Sequence, residues 1–403
     1  MDATEQDGAA AWWRLAAALV LATIGGVGLW STVVVLPHIE AEFGVDRGGA
    51  SIPYTATMLG FAAGGILMGH LSDRFGIMIP VILGAAFLCV GYIAAANASG
   101  YWEFVAIQAA LIGCLGASPT FGPMVADISL WFLRRRGIAV AIVASGNYAA
   151  GAIWPPILTE MIGEIGWRDT YFWVGIFCVV TMVPLSLALR RRSDTSAPTP
   201  PARGLAARVQ ASPRTLQILL CIAGVACCVA MAMPQVHIVA YCVDLGFGPV
   251  RGAEMLSVML ALGVVSRLIS GVIADRIGGL GTLILGSALQ GIALFAFLPF
   301  DGLVSLYLIS ALFGLSQGGI VPSYALIVRD FFPAREAGWR VSLVLMATVA
   351  GMALGGWMSG EIYDLTGSYG WAFVNGIAWN VLNLGIALWL LMGRRGGQRM
   401  VPA

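Results

Sequence analysis

The residue with the strongest chemical claim is Arg267, which sits in the otherwise apolar stretch Met255–Ala274. A guanidinium keeps its proton at every accessible pH, so placing it in hydrocarbon is expensive unless an anion, a dipole or water receives it. The nearest acids in sequence, Glu254 and Asp275, stand at the two ends of the stretch, and no group within it answers the charge. A planar fork of N–H donors matches a carboxylate, so an anionic solute is the first reading. The second is structural: the arginine caps helix carbonyls or pairs with an acid on another segment. Gly263, Ser270 and Gly271 are its neighbours at helical spacing. That small-residue face leaves room for a solute or lets a second helix approach closely.

Other groups could share a site with it. His237 is the histidine that lies well inside an apolar segment, and histidine titrates near neutral pH, which makes it a candidate proton carrier or, equally, a hydrogen-bonded packing residue. Asp127 lies seven residues before Arg134. An ion pair with the cluster Arg134, Arg135 and Arg136 is one reading, and proton coupling is the sharper alternative. Asn147, Tyr148, Gln317, Ser323 and Tyr324 are neutral groups able to line a cavity, with Asn147 and Tyr324 the favoured donors to a solute. Asn375, Asn380 and Asn383 read as glue between helices. The seven cysteines lie in apolar stretches without metal-ligand spacing and read as reduced packing residues. Neither a metal, a cofactor nor an enzymatic activity is expected, because no nucleotide loop or nucleophile–base arrangement is present.

The elements that hold these residues follow from composition. The chain is 59% hydrophobic and 11% charged, with a mean hydropathy of +0.86, so its solvent is the bilayer. Apolar runs fall near 12–36, 50–72, 78–98, 102–130, 137–162, 168–189, 215–242, 252–274, 280–299, 303–328, 338–361 and 370–392. The expected fold is therefore an all-α membrane protein of twelve transmembrane helices. Residues 1–189 and 215–403 form its two six-helix bundles, joined by the basic, proline-rich linker 190–214. All 22 basic residues are arginines. Arg14, Arg74, Arg134, Arg135, Arg136, Arg276, Arg329, Arg335, Arg340, Arg394, Arg395, Arg399 and the linker arginines fall on one side, and Arg47, Arg168 and Arg251 on the other. The excess marks the cytoplasmic side and puts both termini there, in a bacterial-type inner membrane. An acidic N-terminus without a basic region predicts no cleaved signal peptide. A net charge of +1 speaks against nucleic acid.

The halves repeat each other. Gly69-His-Leu-Ser-Asp-Arg-Phe-Gly76 and Gly271-Val-Ile-Ala-Asp-Arg-Ile-Gly278 match at an offset of 202 residues, where Arg267 corresponds to Gly65. Duplicated helical units are the architecture that places transport sites between halves. These paired loops resemble the signature of the major facilitator superfamily. That resemblance implies a cytoplasmic gate formed by Asp73, Arg74, Asp275 and Arg276, with Arg134, Arg135 and Arg136 as partners.

A narrower set of residues comprises Trp131–Gly137, Ala144-Ser-Gly146, Gly166-Trp-Arg168, Arg329-Asp-Phe-Phe332 and Gly360–Gly367. Together they resemble the monocarboxylate transporters and the oxalate–formate antiporters. There an arginine in the eighth span holds the substrate carboxylate, the place Arg267 occupies. The chain departs from the eukaryotic carriers at Gly263, where they have an aspartate, and at Trp30, where they have a lysine. It also lacks the second cation of the oxalate carriers in span 11, so a single carboxylate is expected. The resemblance thus implies a monomeric secondary transporter of a lactate- or pyruvate-like anion, by proton symport or, alternatively, by exchange. An efflux carrier of amphiphilic compounds is the further alternative. The expected substrate-binding residues are Arg267, Asn147, Tyr324 and His237.

Overall fold

The computed structural model describes residues 7–132, 135–191, 212–332 and 334–398. Among the described residues all regular structure is helical, as it must be where no water satisfies backbone groups. Twelve helices are long and apolar enough to cross a membrane: α1 (Ala9–Phe43), α2 (Arg47–Ser72), α3 (Met78–Asn97), α4 (Tyr101–Trp131), α5 (Ile138–Ile165), α6 (Trp167–Leu189), α7 (Pro213–Asp244), α8 (Pro249–Ala274), α9 (Arg276–Ala296), α10 (Leu303–Val328), α11 (Leu343–Thr366) and α12 (Tyr369–Met392). Each predicted span has its helix. Large apolar side chains such as Val180, Val272 and Ile292 are exposed, which suits a surface solvated by lipid.

By proximity the chain divides into two compact units, Met1–Ala197 with His237–Ala261, and Pro198–Val236 with Leu262–Ala403. The division falls between Ala197 and Pro198, inside the predicted linker 190–214, and crosses α7 and α8 as well. Within the first unit, Arg47 at the start of α2 ties α1 to the end of α7: its guanidinium lies 2.7 Å from Glu40 and 3.2 Å from Asp244. Gly151 of α5 lies so close to Leu260 that a Cβ there would overlap it.

The duplicated loops share one turn. Gly76 ends the helix of α2 at φ 83°, and Gly278 sits between α8 and α9 at φ 78°. Only glycine adopts such angles without strain, which is why the repeat keeps it in both copies.

Among the described residues, four spans are interrupted. α1 breaks at Gly26, between Ala9–Gly25 and Val27–Phe43, and α5 breaks at Ser145, between Arg136–Ala144 and Gly146–Ile165. α4 passes from α-helix into a π-helix over Gln108–Ala117 and a 3-10 turn over Ser118–Thr120. At Phe121 (φ −122°, ψ −89°) it breaks before resuming. α10 breaks at Gly318–Gly319, between Leu303–Gln317 and Ile320–Phe331. In the first unit these kinks meet. A Cβ on Gly26 would lie 2.5 Å from the Ala150 methyl, one on Gly146 would lie 2.5 Å from the Ala22 methyl, and one on Gly25 would strike Thr120. The widened turns of α4 accompany the close approach of Gly60 and Gly64 of α2, whose added Cβ atoms would overlap the carbonyls of Ala109 and Cys114.

Candidate functional site

In the second unit α8 and α10 cross on glycine. A Cβ at Gly318 would lie 2.5 Å from the Gly263 carbonyl and would overlap the Arg267 backbone nitrogen; Gly319 stands equally close to Ser270. The small-residue face around Arg267 is therefore used on this side for helix contact, whereas Gly271 faces open space. Ser266 fixes the crossing by donating from its hydroxyl to the Leu315 carbonyl at 2.5 Å.

This crossing decides where the charge goes. The half-buried Arg267 donates from Nε to the Gly318 carbonyl at 3.4 Å, at the end of the first segment of α10. Carbonyls at a helix C-terminus lack intrahelical partners and carry partial negative charge, so they attract a cation. The arginine is thus answered in part by a helix end, which the sequence allowed as its structural alternative. A bond of 3.4 Å is long for N–H···O, and a carboxylate would be the stronger acceptor.

The α10 break has a counterpart in the other half of the repeat. Gly318 and Gly319 correspond, at the offset of 202, to Gly116 and Ala117, immediately before the 3-10 turn and break of α4. Interruptions at equivalent places in repeated helices free backbone groups at membrane depth, where transporters hold solutes. Because Gly318 permits the crossing, Gly318→Ala is expected to force α8 and α10 apart. The predicted cost is about 1–3 kcal/mol of stability. A lowered unfolding temperature of the purified protein, together with slower transport, checks this.

The remaining predicted site residues are placed as follows. Asn147 is turned to Trp30, whose indole N–H donates to the Asn147 backbone carbonyl at 3.0 Å and its Oδ1 at 3.2 Å. The side-chain carbonyl is an acceptor for a neighbouring helix. Trp30 itself is buried where the resembled carriers have a lysine. Tyr324 is fully buried, and its hydroxyl donates to Asn383 Oδ1 at 2.8 Å; Asn383 in turn donates to Ser287 Oγ at 2.7 Å. Asn380 donates to the Ser287 carbonyl at 2.9 Å. Tyr324 therefore belongs, in this conformation, to the same glue between α9, α10 and α12 that the sequence assigned to the asparagines. Removing its hydroxyl by Tyr324→Phe leaves Asn383 short of a donor at a cost of about 1–3 kcal/mol, with transport by the surviving protein unchanged. Denaturation and uptake measured side by side test that pairing.

His237 is fully buried on α7. Two residues earlier, Gln235 donates from its amide to Gln317 Oε1, next to the α10 break.

Asp127 has a partner other than the one expected. Arg14 grips it through Nε and Nη2, both at 2.8 Å, and donates from Nη1 to the Arg191 carbonyl at 3.0 Å. The guanidinium also lies 4.5 Å above the Trp131 ring. With Arg14 only 3% exposed, this arginine is a buried residue of α1 and not one of the surrounding polar segments. The reason is geometric: both charges fall inside spans, and opposite charges in hydrocarbon are stable only together.

Of the expected gate, Arg74 and Arg276 are exposed, and the Arg74 guanidinium lies 5.1 Å from the Phe75 ring. Arg135 receives Asp7: its backbone N–H donates to Asp7 Oδ1 at 3.2 Å, and its guanidinium stands 5.9 Å from the Trp12 ring. Arg134 and the side chains of Asp73, Arg136 and Asp275 lie outside the described residues. All seven cysteines are free, with Cys227 and Cys228 sulfurs 3.4 Å apart.

Residues 18–338 match the family model described as Major Facilitator Superfamily. Curated relatives include the agnestins efflux protein AgnL12 of Paecilomyces divaricatus, 23% identical over 89% of this chain and 81% of that protein. They also include monocarboxylate transporter 13 of Bos taurus, 25% identical over 79% of this chain and 75% of that protein. Among solved structures, the peptide transporter POT in complex with sulfate superposes with a TM-score of 0.73 at 13% identity, covering 96% of this chain and 95% of that one. A bacterial homologue of the human lysosomal transporter Spinster gives a TM-score of 0.69 at 14% identity, covering 98% of this chain and 99% of that one.

Proposed function

This chain belongs to the Major Facilitator Superfamily, and from that membership we propose that it is a secondary transporter of a small organic monocarboxylate, with Arg267 as the anchor. One observation carries the reading: a guanidinium in the interior of α8 stands at the glycine break of α10, on a long bond to a helix-end carbonyl. A substrate carboxylate exchanges for that carbonyl and forms the shorter, charge-assisted pair. Neutralising the cation lowers the cost of enclosing it, and releasing Gly318 frees the hinge of α10. Substrate occupancy is thereby coupled to movement, as differential affinity for two conformations requires.

Proton symport with both termini cytoplasmic is the fuller form of this proposal, with His237 the proton carrier and the duplicated Asp-Arg loops the cytoplasmic gate between bundles 1–189 and 215–403. Purified protein in liposomes tests it. Labelled lactate or pyruvate is expected to accumulate under an imposed inward proton gradient, and His237→Gln is expected to remove the gradient dependence. Uptake that requires internal anion and ignores pH would replace symport by exchange.

A second reading has support from the relatives, one of which is named an efflux protein. Under it the chain exports amphiphilic compounds. Transport of neutral or cationic compounds by the protein, with no response to carboxylates, would favour that reading over ours.

A further inference from the structure

At one end of the second unit, the starts of α7 and α11 enclose a cavity of about 610 Å³ lined by Ser212, Arg214, Gln217, Ile218, Arg340 and Leu343. Both helices are odd-numbered spans, so their starts lie at the membrane face that also carries the chain termini. The cavity has two kinds of wall.

One wall is cationic and held in place. Arg340 is 8% exposed; its guanidinium lies 4.1 Å above the Phe332 ring, and Nη1 donates to Gln217 Oε1 at 3.3 Å. Gln217 returns a bond from Nε2 to the Arg340 carbonyl at 3.3 Å, so the two side chains brace each other across the helices. Arg214, by contrast, is exposed and makes no hydrogen bond or ion pair among the described residues. Ser212 accepts the Thr215 amide at 3.1 Å, which starts the 32-residue helix of α7 at the cavity and adds the positive end of its dipole.

The other wall is apolar. Ile218 and Leu343 are 50% and 41% exposed, and one turn further into the membrane they continue into the exposed Ile222 and Met346. A free anion would use the cationic wall alone. A group with charge at one end and hydrocarbon at the other would use both.

We propose that this cavity binds the phosphate of an anionic phospholipid, with Arg214 and Arg340 as its charge partners and Ile218 and Leu343 against its glycerol and acyl region. Basic recesses between helices at a membrane face are suited to such head groups.

The test uses full-length protein in nanodiscs of phosphatidylcholine with and without phosphatidylglycerol, followed by native mass spectrometry and thermal unfolding. The parent is expected to retain phosphatidylglycerol and to unfold at higher temperature with it. Arg214→Gln, an exposed change that leaves the Arg340–Gln217 brace intact, is expected to reduce retention about five-fold, the effect of one arginine at an anionic surface. Arg251→Gln, at the opposite membrane face, is expected to change nothing. Equal retention by Arg214→Gln and the parent overturns the site. Stabilisation by inorganic phosphate in detergent that matches the phosphatidylglycerol effect overturns the lipid source and assigns the cavity to free phosphate.

Discussion

Arg267→Ala and Arg267→Gln are expected to abolish carboxylate uptake while leaving the protein folded. The pair lost is a desolvated, charge-assisted one, and truncating one partner of such a pair costs about 2–5 kcal/mol. Apparent affinity is therefore expected to fall by roughly two orders of magnitude or more. Stability is expected to move little, because the bond to the Gly318 carbonyl is long and the membrane is relieved of a charge. Arg267→Lys separates charge from geometry: a compact ammonium keeps the attraction but not the planar fork, so partial transport is expected. Uptake of labelled lactate or pyruvate into proteoliposomes, with unfolding temperature measured on the same preparations, reads both effects. Uptake at the parental rate by the alanine and glutamine variants would falsify the anchor role.

The largest stability effect is expected at Arg14 and Asp127. Their two 2.8 Å bonds are buried, at 3% and 11% side-chain exposure, and breaking a buried pair by removing one partner costs about 3–5 kcal/mol. Arg14→Leu and Asp127→Leu should each unfold the protein or strip it from the membrane. The double variant should recover much of the loss, since it leaves no charge behind. That recovery distinguishes the pair from a proton-coupling role for Asp127. A coupling aspartate would give, on Asp127→Asn, a stable protein that exchanges anion but ignores the proton gradient. A structural pair gives a destabilised protein whose remaining molecules still respond to it. Chemical denaturation and gradient-driven uptake, compared across the parent and the four variants, decide between them.

Much of the architecture was legible because the bilayer imposes it. Twelve apolar runs had to become twelve helices once hydrocarbon denied the backbone any other partner, and boundaries such as 78–98 and 168–189 fell within a residue or so of Met78–Asn97 and Trp167–Leu189. The duplicated Gly-x-x-x-Asp-Arg-x-Gly loops were equally readable. Gly76 and Gly278 take the same positive φ because a turn of that shape admits little else. Local rules of this kind act within a few residues, and sequence carries them openly.

Pairing across helices was another matter. Asp127 was seen as a charge in need of a partner and was matched with Arg134, Arg135 and Arg136, the nearest basic residues along the chain. The partner was Arg14, 113 positions away. The clue existed, since Arg14 lies two residues inside the predicted first span, but periodicity does not rank distant partners. Tyr324 and Asn147 were chosen as donors for a solute because they are polar and lie in spans. Whether a polar group in a helix faces a cavity or a neighbouring helix depends on rotation about the axis, which packing fixes and composition does not. Asn383 and Trp30 hold them instead.

Arg267 shows both sides of this division. The sequence by itself determined that a permanent charge lies deep in the eighth span, with glycine at i−4 and i+4 and no counterpart in the first half, because an arginine's charge and a helix's periodicity are properties of the chain. Only the tertiary structure decided what that charge touches. The glycine crossing of α8 and α10 brings the Gly318 carbonyl to the guanidinium, and it does so at a break in α10 that leaves helix-end carbonyls available there. A break and a crossing are both outcomes of close packing between segments some fifty residues apart, and packing of that kind is settled by whichever helices can approach most closely.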